Sequence, residues 1–307
     1  MSIPFVKPPP SATAPFVRIV EVGPRDGLQN EQRPISTADK ISLINALADC
    51  GLHTIEATAF VSPRWVPQMA DHDLVMRQVP RRPDLMLSAL VPNETGARAA
   101  IAAGAQGLAV FASASESFAQ KNTNCSIAES LQRFAPVMEL AHEQGLPVRG
   151  YISCAIDCPF EGKINPDAVS RVAEALRKLG CTEIAVSDTL GRARPEAVAQ
   201  MLKSVKQIID DHQIAGHYHD TAKGALENVA VSLEMGVRIF DASIGGLGGC
   251  PYAPGAAGNL RTSHLVAFLE EKGFKTGIDQ ARLTPLEQQV LDWKSGTTPD
   301  LISLKFN

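Results

Sequence analysis

The chain has 307 residues, of which 45% are hydrophobic and 20% charged, and its formal net charge is −4. That balance is ordinary for a folded domain and lacks the concentrated basic surface of a nucleic-acid binder, and no apolar run approaches the ~18 residues of a membrane span. Six cysteines are scattered through a chain too large to depend on disulfide staples, and no basic-then-apolar leader is visible, so reduced thiols in a cytoplasmic enzyme are expected.

Residues 1–16 carry Pro4, Pro8, Pro9, Pro10 and Pro15, a composition that favours a disordered or extended tail over a targeting helix. From Val17 onward, short apolar or β-branched runs alternate with longer amphipathic ones. The pattern predicts strands at 17–22, 54–58, 85–90, 107–111, 148–153, 183–186, 214–219 and 238–243. Helical patterns lie between them, among others at 37–48, 126–143, 166–179, 195–210 and 222–235, with a last one at 259–272. Gly51, Gly104, Gly145, Gly180 and Gly236 stand where helix C-termini need a residue tolerant of positive φ. Eight such units predict an α/β fold, a (β/α)8 TIM barrel over residues 17–277. Residues 278–307 read as a short C-terminal helix, near 283–293, and a tail packed on the barrel. An open doubly wound sheet is the rival, but the turn after the first strand reads GPRDG at 23–27 and lacks the GxGxxG dinucleotide pattern.

In a barrel of this kind, function sits at the C-terminal ends of the strands, and the unusual polar residues fall there. Arg25 and Asp26 follow the first strand, Glu56 lies in the second, Asp188 and Thr189 follow the sixth, and Cys250 and Asn259 lie beyond the eighth. The seventh ends in GHYHD at 216–220, where His217 and His219, one residue apart, point to the same face of a strand and suit two ligands of one metal ion. Taken singly, Glu56 or Asp188 could equally be an interior carboxylate satisfied by a neighbouring arginine. Asp26, His217, His219 and Asn259 offer two oxygens and two nitrogens, a set suited to Mg²⁺ or Mn²⁺, with Zn²⁺ as competitor. Cys250 lies in the glycine-rich run GGLGGCPYAPGAAGN at 245–259, which reads as a mobile lid, so its thiol is placed nearer substrate than metal.

Five strings carry a resemblance: EVGPRDGLQNE at 21–31, FVSPRWVPQM at 60–69, QKNTNC at 120–125, YISCAIDCPFEG at 151–162 and the 245–259 run. Together they resemble the 3-hydroxy-3-methylglutaryl-CoA lyase family from about Val17 to Gly277. The isopropylmalate, citramalate and homocitrate synthases resemble the chain less, and no second regulatory domain is expected after the barrel.

The resemblance implies cleavage of 3-hydroxy-3-methylglutaryl-CoA to acetyl-CoA and acetoacetate, with Mg²⁺ or Mn²⁺ held by Asp26, His217, His219 and Asn259. It implies that Arg25 stabilises the enolate oxygen, that Cys250 and His217 move protons, and that Glu56 and Asp188 support the metal and substrate. Gln29, Asn122 and Thr189, with Arg25, are the implied contacts of the acyl-CoA substrate, and a homo-oligomer is the implied assembly. Arg64, Lys121, Lys163 and Arg192 are loop candidates for the CoA phosphates. Two departures bear on the pocket: Ala222-Lys223-Gly224 follows the His-Asp-Thr run where a Tyr-Gly-Gln type of continuation is usual, and Gln32 stands where a lysine is usual. A lyase for a related thioester such as citramalyl-CoA, a Claisen-type synthase joining acetyl-CoA to a 2-oxo acid, and a non-catalytic barrel that binds acyl-CoA or metal are the alternatives.

Overall fold

A computed structural model describes residues 14–249 and 258–302. The eight apolar runs form parallel strands: Arg18–Glu21, Thr54–Ala59, Met86–Leu90, Gly107–Ser113, Val148–Ser153, Glu183–Asp188, Ile214–Tyr218 and Ile239–Ala242. They hydrogen-bond in sequence order, and the first pairs with the eighth in the register Arg18↔Ile239 to Glu21↔Ala242, which closes the barrel. Burial on both faces explains their near-continuous apolar character: Thr54–Ala59 is buried at every position. A short antiparallel pair, Asp157–Cys158 with Gly162–Lys163, sits in the loop after the fifth strand and was not expected.

The helices between the strands are α1 (Thr37–Asp49), α2 (His72–Gln78), α3 (Glu94–Ala102), α4 (Glu116–Thr123), α5 (Ile127–Glu143), α6 (Pro166–Leu179), α7 (Pro195–Val205) and α8 (Ala225–Glu234). α9 (Thr262–Glu271) and α10 (Gln280–Ser295) follow the last strand. Local chemistry starts and stops them. Ser126 and Glu129 form a reciprocal capping box on α5, and Asn165 caps α6 just before Pro166. The five glycines expected at helix ends all have positive φ, from 64° at Gly145 to 117° at Gly180.

Several boundaries differ from expectation, and three helix ends have a clear reading. α7 stops at Val205 rather than 210. α8 starts at Ala225 because Lys223 has a φ of 62°, which no helix accommodates. α9 starts at Thr262, since Asn259 is paired with His219 in an antiparallel bridge and Arg261 with Ser243. The N-terminal tail is also tied down at its end, for Phe16 pairs with Lys275 and the Val17 N–H donates to the Lys275 carbonyl at 2.9 Å. α10 buries Leu283, Leu286, Val290 and Trp293. Among the described residues, no helix is long and apolar enough to cross a membrane.

Candidate active site

The seventh strand displays the alternation on which the His-x-His reading depends. Tyr218 faces outward, its hydroxyl 2.8 Å from Ser232 Oγ on α8, while His217 and His219 share the barrel side with ring centroids 5.2 Å apart. The first strand delivers Asp26 to the same place through a single π turn, Gly23–Gly27, closed by the Gly27 N–H on the Val22 carbonyl at 3.1 Å. Gly27 must lack a side chain: a Cβ there would lie 2.8 Å from both Leu247 Cβ and Ser243 Oγ. One ligand atom from each of Asp26, His217 and His219 lies within 4.8 Å of the others.

Asn259 completes the cluster from beyond the eighth strand. Its Nδ2 donates to Asp26 Oδ2 at 2.7 Å and to the Leu247 carbonyl at 3.2 Å, which fixes the amide and leaves Oδ1 as the atom it offers. The return of the chain requires Gly258, where a Cβ would fall 2.3 Å from the Gly248 carbonyl oxygen. Cys250 lies outside the described residues.

A run of hydrogen bonds leads from Asp26 through the barrel interior and back to the histidines. Arg25 Nη1 donates to Asp26 Oδ1 at 2.6 Å, and Arg25 Nε donates to Glu56 Oε1. Tyr151 donates to Glu56 Oε2 at 3.2 Å and accepts from Arg149 Nη1 at 3.0 Å. Arg149 Nη2 donates to Asp241 Oδ1 at 2.6 Å, and Asp241 Oδ2 lies 2.9 Å from His217 Nδ1. The Tyr151 ring is flanked by both guanidiniums, with Arg149 Cζ 4.9 Å and Arg25 Cζ 5.7 Å from its centroid.

These neighbours set the protonation states. Burial would raise Asp26, but Arg25, the two histidines and Asn259 outweigh it and hold the carboxylate well below its usual range. Burial lowers His219 to about 4, assisted by His217 and Arg25 and opposed by Asp26, so its imidazole is neutral near pH 7. Asp241 is lowered by Arg149 and His217 against burial and stays ionised. An ionised Asp241 can only accept, so His217 donates its Nδ1–H to it, which leaves the lone pair on Nε2. Burial lowers Arg25 while Glu56 and Asp26 raise it further, so the guanidinium stays charged.

The residues therefore fit a divalent cation. His219 Nδ1 is buried with no hydrogen-bond partner among the described residues, and two imidazoles, a carboxylate and an amide oxygen form a mixed donor set.

Other expected site residues take different places. Glu56 is buried and ion-paired with Arg25, the partner that the interior-carboxylate reading calls for. Asp188 instead folds its own loop, accepting from the Gly191 and Ala193 N–H groups at 3.0 and 2.9 Å, and burial raises its carboxyl against those bonds. Thr189 Oγ1 accepts from the Cys154 N–H at 2.8 Å and so braces the fifth-strand loop. Gln29 is half-buried beyond the π turn, and Asn122 is exposed on α4. Lys223 is solvated, 3.6 Å from Asp220, and Gln32 is exposed, so neither departure alters the cluster. Sequence reasoning missed Arg149, Tyr151 and Asp241. The signal was present, since a charged residue within an apolar parallel strand must find an interior partner.

A family model described as HMGL-like matches residues 16–290. Over 263 residues the chain is 51% identical to the hydroxymethylglutaryl-CoA lyase of Pseudomonas mevalonii, covering 86% of this chain and 87% of that one. It is similar to the crystal structure of the HMG-CoA lyase from Brucella melitensis, with a TM-score of 0.89 and 54% identity over 91% of this chain and 99% of the other. It is also similar to an HMG-CoA lyase from Acinetobacter baumannii in complex with coenzyme A and 3-methylmalate, with a TM-score of 0.87 and 36% identity over 94% and 97% of the two chains.

Proposed function

The chain belongs to the HMGL-like family, and from that membership and the cluster at the barrel mouth we propose that it is a divalent-metal-dependent carbon–carbon lyase. It cleaves 3-hydroxy-3-methylglutaryl-CoA to acetyl-CoA and acetoacetate. The carrying observation is the cradle of Asp26, His217 and His219 with Arg25 hydrogen-bonded to its carboxylate. The coenzyme A complex of the Acinetobacter baumannii relative supports an acyl-CoA substrate here.

Asp26, His217, His219 and Asn259 hold the cation, and the oxygen-containing set favours Mg²⁺ or Mn²⁺. When bound, that ion supplies Lewis acidity that lowers the pKa of the substrate's tertiary hydroxyl. Loss of the hydroxyl proton lets the oxygen become the ketone of acetoacetate as the C–C bond breaks, and the bonding pair leaves on the acetyl-CoA fragment as an enolate. Arg25 donates to that enolate oxygen. Its Nε and Nη1 are held by Glu56 and Asp26, so the guanidinium is oriented before charge develops and no reorganisation is needed. Glu56 is thus a positioning residue for Arg25, and Asp241 for His217. Cys250 carries the protons, its thiolate taking the one from the hydroxyl and its thiol returning one to the enolate carbon, while His217, with Nδ1–H on Asp241 and Nε2 left for the cation, takes part through the ion. The five described cysteines are buried and form no disulfide among the described residues, which supports a reducing, cytoplasmic setting.

The test is to incubate the pure full-length protein with 3-hydroxy-3-methylglutaryl-CoA and Mg²⁺, with and without a chelator. Acetoacetate and acetyl-CoA should form in equal amounts, stop on chelation and resume on adding Mg²⁺ or Mn²⁺. No acetoacetate under any of these conditions refutes the assignment.

A further inference from the structure

Glu287, on the buried face of α10, is 7% exposed and belongs to no part of the cation cluster. A carboxylate is a costly choice on a helix face otherwise built from Leu283, Leu286, Val290 and Trp293. All its polar contacts go to one place. Oε1 accepts from Ser263 Oγ at 2.7 Å and lies 3.5 Å from Arg261 Nη1, and Oε2 accepts from the Gly245 N–H at 3.4 Å. The Gly245 turn also rests on α10 by shape, since a Cβ there would come within 3.1 Å of Val290 Cγ1.

These partners bracket Asn259. Gly245 lies in the turn Ile244–Gly246, which leads into Leu247, whose carbonyl shares Asn259 Nδ2 with Asp26. Arg261 and Ser263 lie two and four residues after Asn259, and the Thr262 hydroxyl between them is held by Glu21 at 2.6 Å. Glu21 also takes the Ile244 and Gly23 N–H groups at 2.9 and 2.8 Å. Two carboxylates thus clamp the junction where the first-strand loop, the exit of the eighth strand and the Asn259 segment meet. One of them comes from outside the barrel.

We infer that Glu287 is a positioning residue that reaches from α10 to lock the segments flanking Asn259, and so holds that amide against Asp26 for cation binding and turnover. The inference rests on the proposed cation cradle. It predicts an effect of the C-terminal helix on metal affinity that packing alone would not produce.

The experiment measures Mn²⁺ affinity from the free-ion electron paramagnetic resonance signal, together with kcat, KM and thermal midpoint, on the full chain. Glu287→Ala should weaken Mn²⁺ binding by about tenfold and lower kcat more than it raises KM. Glu287→Gln keeps acceptor oxygen for Ser263 or Gly245 and should return the affinity to within about threefold of the parent. Ser263→Ala, which removes one contact without burying a cavity in α10, should fall between them. A lowered thermal midpoint with unchanged Mn²⁺ affinity in Glu287→Ala overturns the inference while leaving the cation reading intact. If Glu287→Ala fails to fold, unchanged affinity in Ser263→Ala does the same. A parent protein that binds no Mn²⁺ overturns the cation reading and this inference together.

Discussion

Asp241→Asn isolates the role of a hydrogen bond two steps from the reacting atoms. Asp241 is 3% exposed and its two oxygens are divided between Arg149 Nη2 at 2.6 Å and His217 Nδ1 at 2.9 Å. Arg149 can only donate, so it claims the one oxygen that asparagine retains. The amide NH2 then faces His217, Nδ1 must accept, and the ring proton moves to Nε2, the atom the cation needs. The shape is conserved while the tautomer is inverted. Outer-sphere partners of metal-bound histidines are worth about 10- to 100-fold in affinity, and tautomer inversion belongs at the upper end, about 2.7 kcal/mol. The opposite amide orientation would set NH2 against a guanidinium, with only Glu183, 2.9 Å from Arg149 Nε, left to balance that charge. Mn²⁺ titration by calorimetry measures the loss directly, and circular dichroism on the same samples confirms the fold. A folded variant whose Mn²⁺ dissociation constant stays within about threefold of the parent would refute the tautomer argument.

Arg25→Met should reduce kcat by at least about 10²-fold through loss of enolate stabilisation, while Mn²⁺ still binds because a positive charge has left the cradle; near-parental turnover in steady-state assays would contradict the assigned role. Its stability should also fall by about 3–5 kcal/mol in urea titrations, because Glu56 is left buried without its guanidinium. Glu21 gives a pH signature. Burial raises its carboxyl from 4.5 to about 7, against hydrogen bonds from Thr262, Ile244 and Gly23 and with the help of Glu287. The folded state then binds this proton more tightly than the unfolded chain. Its contribution is complete below about pH 4.5 and is lost as the pH rises through about 7, with a span of roughly 3 kcal/mol. Glu21→Gln, which cannot ionise, should gain stability relative to the parent across that window, and parallel stability curves for the two proteins would rule the idea out.

The His-x-His pair, the Arg-Asp turn and Asn259 were legible because each is a local pattern with a geometric consequence. Alternation in a strand sends His217 and His219 to one side whatever the rest of the chain does. Asp188 was less legible for the opposite reason. At the end of a barrel strand it resembles a site carboxylate, yet it is consumed by the backbone of its own loop. Thr189 is engaged in the same way, by the Cys154 N–H. Nothing local distinguishes a carboxylate that faces substrate from one that satisfies nearby N–H groups, because both are buried polar groups in need of a partner.

Periodicity, glycine placement and motif spacing were enough for the barrel, its approximate strand positions and the candidate residues Asp26, His217 and His219 that the fold brings together, since these depend on short-range backbone rules. What only the tertiary structure decided is connectivity among distant side chains: that Arg149 joins Tyr151 to Asp241, that Asp241 selects the His217 tautomer, and that Glu287 from α10 grips the Asn259 segment. Apart from Arg149 and Tyr151, two residues apart on one strand, these links span 24 to 92 residues in sequence but one hydrogen bond in space. Such bonds arise from the closure of the barrel, which brings the first and eighth strands side by side and places their interior groups where water cannot satisfy them.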